Sequence, residues 1–192
     1  LNMKYLITRG NNGQPTAQQN PGALGNAWAV NSIKWVATAD EEMAAMGQGF
    51  DPANVVVVRE DRKAVVNEAK IGDGNAQIEL TSYHPEKLEY TFNSATDQFV
   101  VFSEVFYKGN EDWISYIDGE EVPHARVNYV LRGMHVPAGQ HTITFEFKAK
   151  LYHTLETVSL ILSILLILGI LGIISYKFYG SNRPGNLGEA AE

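Results

Sequence analysis

Short runs of alternating apolar and polar residues cover most of the first 150 positions of the chain. Near position 145, for example, Ile143, Phe145 and Phe147 recur with the period of two that is typical of a strand with one buried face. About eight such runs follow one another at intervals of roughly ten residues, without strand–helix–strand alternation, and this predicts a mainly β, antiparallel, jelly-roll-like β-sandwich. The predicted strands are residues 4–8, 28–36, 55–58, 75–82, 87–93, 99–106, 113–117, 127–131 and 142–147.

The segments between these runs carry turn, loop and helix signals. Residues 83–86, 118–119 and 137–139 predict turns, and residues 10–26, which are dense in Gly, Asn, Gln and Pro, predict a surface loop. Thr38 and Glu41 form a capping-box pattern, so residues 40–46 predict one short helix, with Met43 and Met46 as its packing residues. Residues 99–106 are apolar on both faces, which predicts a central strand covered on both sides.

A different pattern begins near the C-terminus. Residues 158–176 contain no charge, and about 19 residues at 1.5 Å each give roughly 28 Å, the thickness of the hydrocarbon core of a bilayer. Aromatic side chains flank this segment, as they do where transmembrane helices meet the lipid headgroups. A helix buried in a protein core is the weaker alternative, because the segment lacks a polar stripe. The predicted domains are a β-sandwich (1–155), a transmembrane helix (156–179) and a disordered tail (180–192). Flanking Lys and Arg residues nearly balance, so charge does not decide the orientation.

Composition and motifs exclude several functions. The net charge of −7 and the pI of about 5.2 argue against nucleic acid as a partner, and the absence of cysteine removes disulfides and thiolate chemistry. No P-loop, dinucleotide-binding, zincin or nucleophile-elbow motif occurs, and adjacent carboxylates such as those at 120–121 are typical of solvated surface. His124, His135 and His141 could converge in a sandwich, but no histidines stand at metal-ligand spacing. We therefore expect no catalytic residue, no metal and no cofactor in this chain.

The segment at 113–147 has the most varied chemistry, and two interpretations of it remain open. In the first, its aromatic residues fill the core and its polar residues form turns. In the second, a polar cluster beside exposed aromatic rings binds sugar hydroxyls or anionic head groups. The candidate residues of that cluster are Trp113, Tyr116, Asp118, Arg126, Asn128 and Arg132.

A family resemblance rests on an ordered set of motifs. These are LNMKYLIT, NPGALGNAWAV, IKWV before ADEEM, FDPANVVVV, WxxYIDGEEVP, RVNYVLRGMxVPAGQH and a final hydrophobic span. In this order they resemble the C-terminal part of the bacterial YfhO family of multispanning membrane proteins. The resemblance implies a parent similar to GT-C glycosyltransferases, which use polyprenyl-phosphate sugar donors outside the cytoplasmic membrane. In that class the catalytic acids lie in an early extracytoplasmic loop, to which no position here corresponds.

Two hypotheses follow for the function. In the first, the chain is the extracytoplasmic C-terminal domain and last span of such a parent, with the tail inside the cell, and it holds an acceptor or acts as a scaffold. Its partners would be the lipid bilayer, the remaining transmembrane part of the parent, and a cell-envelope glycan or polyprenyl-phosphate sugar. In the second, the chain is a stand-alone membrane-anchored β-sandwich that binds carbohydrate or a protein partner.

Overall fold

The chain is mainly β, with one long helix at its C-terminal end. The computed structural model describes residues 2–9, 13–107, 112–148 and 150–181, which fall into two compact units within Leu1–Lys148 and Ala149–Glu192. The strands described are β1 (Tyr5–Arg9), β2 (Pro15–Gln19), β3 (Ala27–Val30), β4 (Ser32–Val36), β5 (Val55–Arg59), β6 (Gln77–His84), β7 (Lys87–Ser94), β8 (Gln98–Val105), β9 (Trp113–Ile117), β10 (Glu120–Glu121), β11 (Ala125–Val127), β12 (Leu131–Val136) and β13 (Gly139–Phe147). The helices are α1 (Ala39–Ala45) and α2 (Lys150–Ser181), with 3₁₀ turns at Glu60–Arg62 and Glu68–Lys70.

Two antiparallel sheets pack face to face and enclose the main core. One has the strand order β10-β9-β13-β7-β6, and the other has the order β11-β12-β8-β3. Aromatic rings fill the space between them, with the Phe102 ring 4.8 Å from Phe145 and 5.0 Å from Tyr90 between centroids. The predicted antiparallel β-sandwich is therefore confirmed. Its buried residues are Leu88, Tyr90, Phe92, Val100, Phe102, Ile117, Met134, Val136, Ile143 and Phe145.

Strand β8 is covered on both faces, as the sequence predicts. Its other face packs against a second cluster, in which Phe99 and Val101 meet valines of the parallel pair β4–β5. A Cβ at Gly133, on the neighbouring β12, would lie 2.8 Å from the Phe99 ring, so only glycine lets the ring sit over that strand. The molecule is therefore a sandwich with a partial third layer on its four-stranded sheet.

Two strand predictions and one loop prediction require correction. Residues 28–36 form two strands, because the backbone N–H groups of Asn31 and Ser32 both donate to the Asn54 carbonyl and the chain leaves one sheet for another. Residues 127–131 contain a turn, in which Asn128 (φ 46°) and Tyr129 (φ 66°) adopt left-handed conformations. The predicted loop at 10–26 contains β2, which pairs with β1 along its whole length.

The short helix begins where the capping pattern predicts. The Thr38 hydroxyl accepts from the Glu41 N–H at 3.2 Å, and the Glu41 carboxylate accepts from the Ala37 N–H at 2.8 Å. The prediction for its packing side is wrong at Met43, which is 53% exposed, whereas Glu42 is fully buried. The reason lies outside the helix, since a backbone N–H from a distant turn binds the Glu42 carboxylate.

Helix α2 forms the second unit. Its segment Thr154–Tyr179 is long and apolar enough to cross a membrane, and none of its most hydrophobic stretch is buried against protein. The Ser163 hydroxyl donates to the Ser159 carbonyl at 2.8 Å, so this polar group is satisfied within the helix. The helix includes residues 180–181, and the rest of the predicted tail, 182–192, lies outside the described residues.

Candidate functional site

The six residues predicted as a polar cluster do not form one site, although two of them, Arg132 and Trp113, are in contact. Arg132 is buried between the sheets, where its Nε donates to the Val105 carbonyl at 3.1 Å and its guanidinium lies 4.4 Å from the Trp113 ring centroid. Its Nη1 has no hydrogen-bond partner in the described part of the chain. A guanidinium covered in this way is closed to an external ligand.

A further candidate, Asn128, is also structural. The Asn128 side-chain oxygen accepts from the Val57 N–H at 2.8 Å, and the Asn128 backbone N–H donates to the Val57 carbonyl at 2.9 Å. Asn128 thereby joins the turn before β12 to β5. Arg126 lies 5.7 Å from the Tyr129 ring centroid in the same turn.

Asp118 lies at the opposite end of β9 from Trp113, about 17 Å along the strand. One carboxylate oxygen is 2.6 Å from Nδ1 of His141, and the other accepts from the Thr142 N–H at 2.8 Å. These hydrogen bonds lower the pKa of Asp118 and raise that of His141. Asp118 borders an open surface, and Tyr116 lies opposite Thr144 on the same sheet.

The histidines that could have converged are separated. His124 Nδ1 is 2.8 Å from the Ser115 hydroxyl, and burial lowers the pKa of His124 to about 4. His135 accepts from the Asn67 N–H at 2.8 Å and lies against the Lys70 carbonyl, so its partners differ from those of His124 and His141. Among the described residues no group of three potential ligands could hold a metal ion.

The open surface is the outer face of the five-stranded sheet. In β6, β7 and β13 the side chains that point away from the core are polar, and the register sets them in rows of three directly opposed residues. We call these twelve positions the outer-face groove. Its rows are Gln77, Asn93 and Gln140; Glu79, Thr91 and Thr142; Ser82, Glu89 and Thr144; and His84, Lys87 and Glu146.

Three concave clefts follow the groove. The largest has a volume of about 820 Å³ and is lined by the first two rows together with Asp118 and His141. A cleft of about 510 Å³ adjoins it beside the first row, and one of about 490 Å³ lies over the last two rows. The irregular register between Leu80 and Ser82 places a bulge in the edge strand, and such bulges bend and twist a strand.

The groove offers neutral hydrogen-bonding groups that the protein itself does not use. Within the described residues, the side chains of Gln77, Thr91, Asn93, Gln140 and Thr142 are exposed and make no hydrogen bond to protein. Amides and hydroxyls both donate and accept hydrogen bonds, so each of these groups can bind a polar ligand either as a donor or as an acceptor.

The lysines of this face are already paired. Lys87 Nζ lies 2.7 Å from the Glu89 carboxylate, and Lys148 Nζ lies 2.7 Å from the Glu146 carboxylate. Lys148 also donates to the Tyr116 hydroxyl at 3.0 Å, and these contacts raise the pKa of both lysines. Glu79 has no such cationic partner in the described structure, so the face has no surplus of positive charge.

No protein-family model, curated protein or solved structure matches this chain. The assignment of a site therefore rests on the geometry above.

Sequence reasoning missed the outer-face groove, although a signal for it exists. Alternation correctly assigns Glu79, Thr91 and Thr142 to the wet side of their strands. The further signal is that most outward positions near these are Gln, Asn or Thr, whereas an ordinary solvated face carries more charge. Recognising the groove requires the register of three strands, which the sequence does not provide.

Proposed function

We propose that this chain is a membrane-anchored β-sandwich module of the bacterial cell envelope, with its sandwich on the extracytoplasmic side of the cytoplasmic membrane. It serves as the C-terminal domain and last span of a multispanning protein that resembles GT-C glycosyltransferases. The observation that carries the proposal is helix Thr154–Tyr179, whose apolar side chains are exposed along its whole length, whereas the sandwich buries two clusters of apolar side chains as its core. In water this exposure is unfavourable, and the hydrocarbon core of a bilayer removes it.

The role that we propose is to hold a glycan acceptor or to brace the parent protein, and not to catalyse transfer. Support comes from the motif resemblance, because the acidic catalytic residues of that class lie in a loop to which no residue here corresponds. The outer-face groove adds support for holding, since its free amides and hydroxyls suit a hydroxyl-rich ligand.

Membrane extraction tests the anchor. The chain would be expressed in bacteria behind a cleavable export signal, and isolated membranes would be washed with alkaline carbonate. We expect the protein to stay in the membrane pellet. The double variant Leu165→Lys/Ile167→Lys should move to the supernatant, because each central charge costs about 2.5–3.5 kcal/mol on insertion. The matched variant Leu165→Val/Ile167→Val should stay, and extraction of the unmodified chain would contradict the anchor.

The stand-alone module is the second candidate, and the layout of one sandwich followed by one apolar helix favours it. The coding DNA upstream of Leu1 distinguishes the two. About ten apolar segments of some 20 residues would support the multispanning parent. A start codon with a signal peptide immediately upstream would support the stand-alone anchored module instead.

A further inference from the structure

We infer that the outer-face groove binds an extended, uncharged glycan and rejects polyanionic chains. The inference rests on the proposed function, since it specifies what a cell-envelope module would hold. It moves the site from the polar cluster suggested by the sequence to the outer surface of β6, β7 and β13.

The shape of the groove suits a linear chain. Successive rows are two residues apart along the strands, so four rows extend over about 20 Å, while three strands span about 10 Å across. The clefts of about 510, 820 and 490 Å³ lie along the longer direction. A narrow polymer that lies parallel to the strands would contact all four rows, whereas a compact molecule would fill one cleft.

The hydrogen-bonding groups suit sugar hydroxyls. The first two rows present three amides and two threonine hydroxyls, which are exposed and have no protein partner in the described structure. A sugar hydroxyl donates one hydrogen bond and accepts others, so it pairs with an amide or a hydroxyl in both senses. Since these side chains are not engaged elsewhere, binding breaks no bond within the protein.

The charges of the face exclude a phosphate or sulfate polymer. Lys87 and Lys148 are each neutralised by a carboxylate at 2.7 Å, and His141 is bound to Asp118. Glu79 adds a negative charge to the lining of the largest cleft. A polyanion would gain no free cation here and would be repelled by Glu79, so the phosphate of a lipid-linked donor would have to lie outside the groove.

The binding experiment uses the full chain in lipid nanodiscs. Titration calorimetry would compare neutral linear hexasaccharides, one of mannose and one of glucose, with a sulfated dextran of similar length. We expect heat of binding with at least one neutral probe and none with the sulfated one. The groove variant Asn93→Ala/Gln140→Ala should lower the affinity about tenfold, because each lost hydrogen bond is worth about 0.5–1.5 kcal/mol.

Two comparisons keep the result interpretable. The matched variant Gln18→Ala/Gln19→Ala removes two exposed amides from β2, outside the groove, and should bind like the unmodified chain. The variant Glu79→Lys should gain affinity for the sulfated dextran, because it places an unpaired cation in the largest cleft.

The inference is overturned if no neutral probe binds, if the sulfated dextran binds equally well, or if the groove and control variants weaken binding alike. Failure of the proposed anchor would look different. A chain that carbonate extracts but that still binds neutral glycan contradicts the anchor and leaves the groove in place, whereas a retained chain without binding contradicts only the groove.

Discussion

Arg132 places a guanidinium between the two sheets with 3% of its surface exposed. It gains a carbonyl contact from Val105 and the face of Trp113, and burial lowers its pKa. Glu104, the acidic group that acts on it, is half-buried, and its own pKa is raised by desolvation. Burying a charge without a close ionic partner costs more than an apolar side chain of similar volume would.

Substitutions at Arg132 measure this cost. Arg132→Ala should lower the free energy of unfolding by about 2–4 kcal/mol, because it leaves a cavity under Trp113. Arg132→Met fills most of that volume without a charge, and its stability should lie within about 1 kcal/mol of the unmodified chain or above it. Urea unfolding followed by circular dichroism would give both values. If the alanine variant were as stable as the unmodified chain, Arg132 would not be part of the packed core.

The pKa values of two histidines should be shifted in opposite directions. The hydrogen bond to Asp118 raises the pKa of His141 above 6.5, whereas burial lowers that of His124 to about 4. NMR titration of the imidazole protons would resolve both. In Asp118→Asn, the His141 pKa should fall while that of His124 stays, and an unchanged His141 pKa would contradict the pairing.

The raised pKa of His141 also sets the sign of a pH effect on stability. Its contribution is fully present below about pH 6.5, the unfolded value, and is lost as the pH rises through the folded value. The difference in unfolding free energy between the unmodified chain and the His141→Gln variant should therefore shrink from pH 6 to pH 9. A difference that grew over this range would mean that His141 is neutral in the folded state.

Helix α1 depends on one buried carboxylate rather than on its methionines. Glu42 accepts from the Tyr129 N–H at 2.7 Å, and its other oxygen lies 4.0 Å from Arg59. The contact ties the helix to the turn in which Asn128 and Tyr129 have positive φ. It therefore stabilises both elements together.

Removal of that carboxylate should destabilise the sandwich. Glu42→Ala leaves the Tyr129 N–H without its acceptor and should cost about 1–3 kcal/mol. Glu42→Gln keeps an acceptor oxygen and should cost less. The exposed control Met43→Ala should change stability by no more than about 0.5 kcal/mol. Thermal and urea unfolding would rank the three, and a costly Met43→Ala with a neutral Glu42→Ala would restore the packing role predicted from sequence.

Local periodicity predicted those elements whose burial follows from their own residues. The inward faces of β7 and β13 follow from alternation, and the start of α1 follows from Thr38 and Glu41. The break at Asn31 depends on Asn54, and the burial of Glu42 depends on Tyr129, 87 positions further along the chain. Such pairings are not encoded in a window of ten residues, so sequence reasoning could not supply them.

In the candidate site too, local features could be predicted from the sequence and long-range ones could not. Asp118 was predicted as a member of the polar cluster, and it does border the largest cleft. Arg132 was grouped with it by closeness in sequence, whereas the sheets bury it near the far end of β9. The outer-face groove exists only once β6, β7 and β13 are in register.

At the scale of the whole molecule, the surface of one unit suits water and the surface of the other suits the hydrocarbon core of a bilayer. The sandwich encloses clusters of large apolar side chains and presents polar rows to water, while Thr154–Tyr179 exposes apolar side chains along its length. A chain of this kind is at its lowest free energy where water and hydrocarbon meet. The central claim is the function proposed above, an anchored module whose sandwich lies on the extracytoplasmic side of the membrane.

Single-cysteine labelling tests that claim most directly, because the chain has no cysteine of its own. Thr142→Cys, Leu165→Cys and Lys177→Cys would each be expressed behind a cleavable export signal and treated in intact spheroplasts with a membrane-impermeant maleimide. In intact spheroplasts we expect labelling at position 142 alone. Position 177 should be labelled only after the membrane is permeabilised, and position 165 only after detergent is added. Labelling of position 165 in intact spheroplasts, or of 177 but not 142, would contradict the claim.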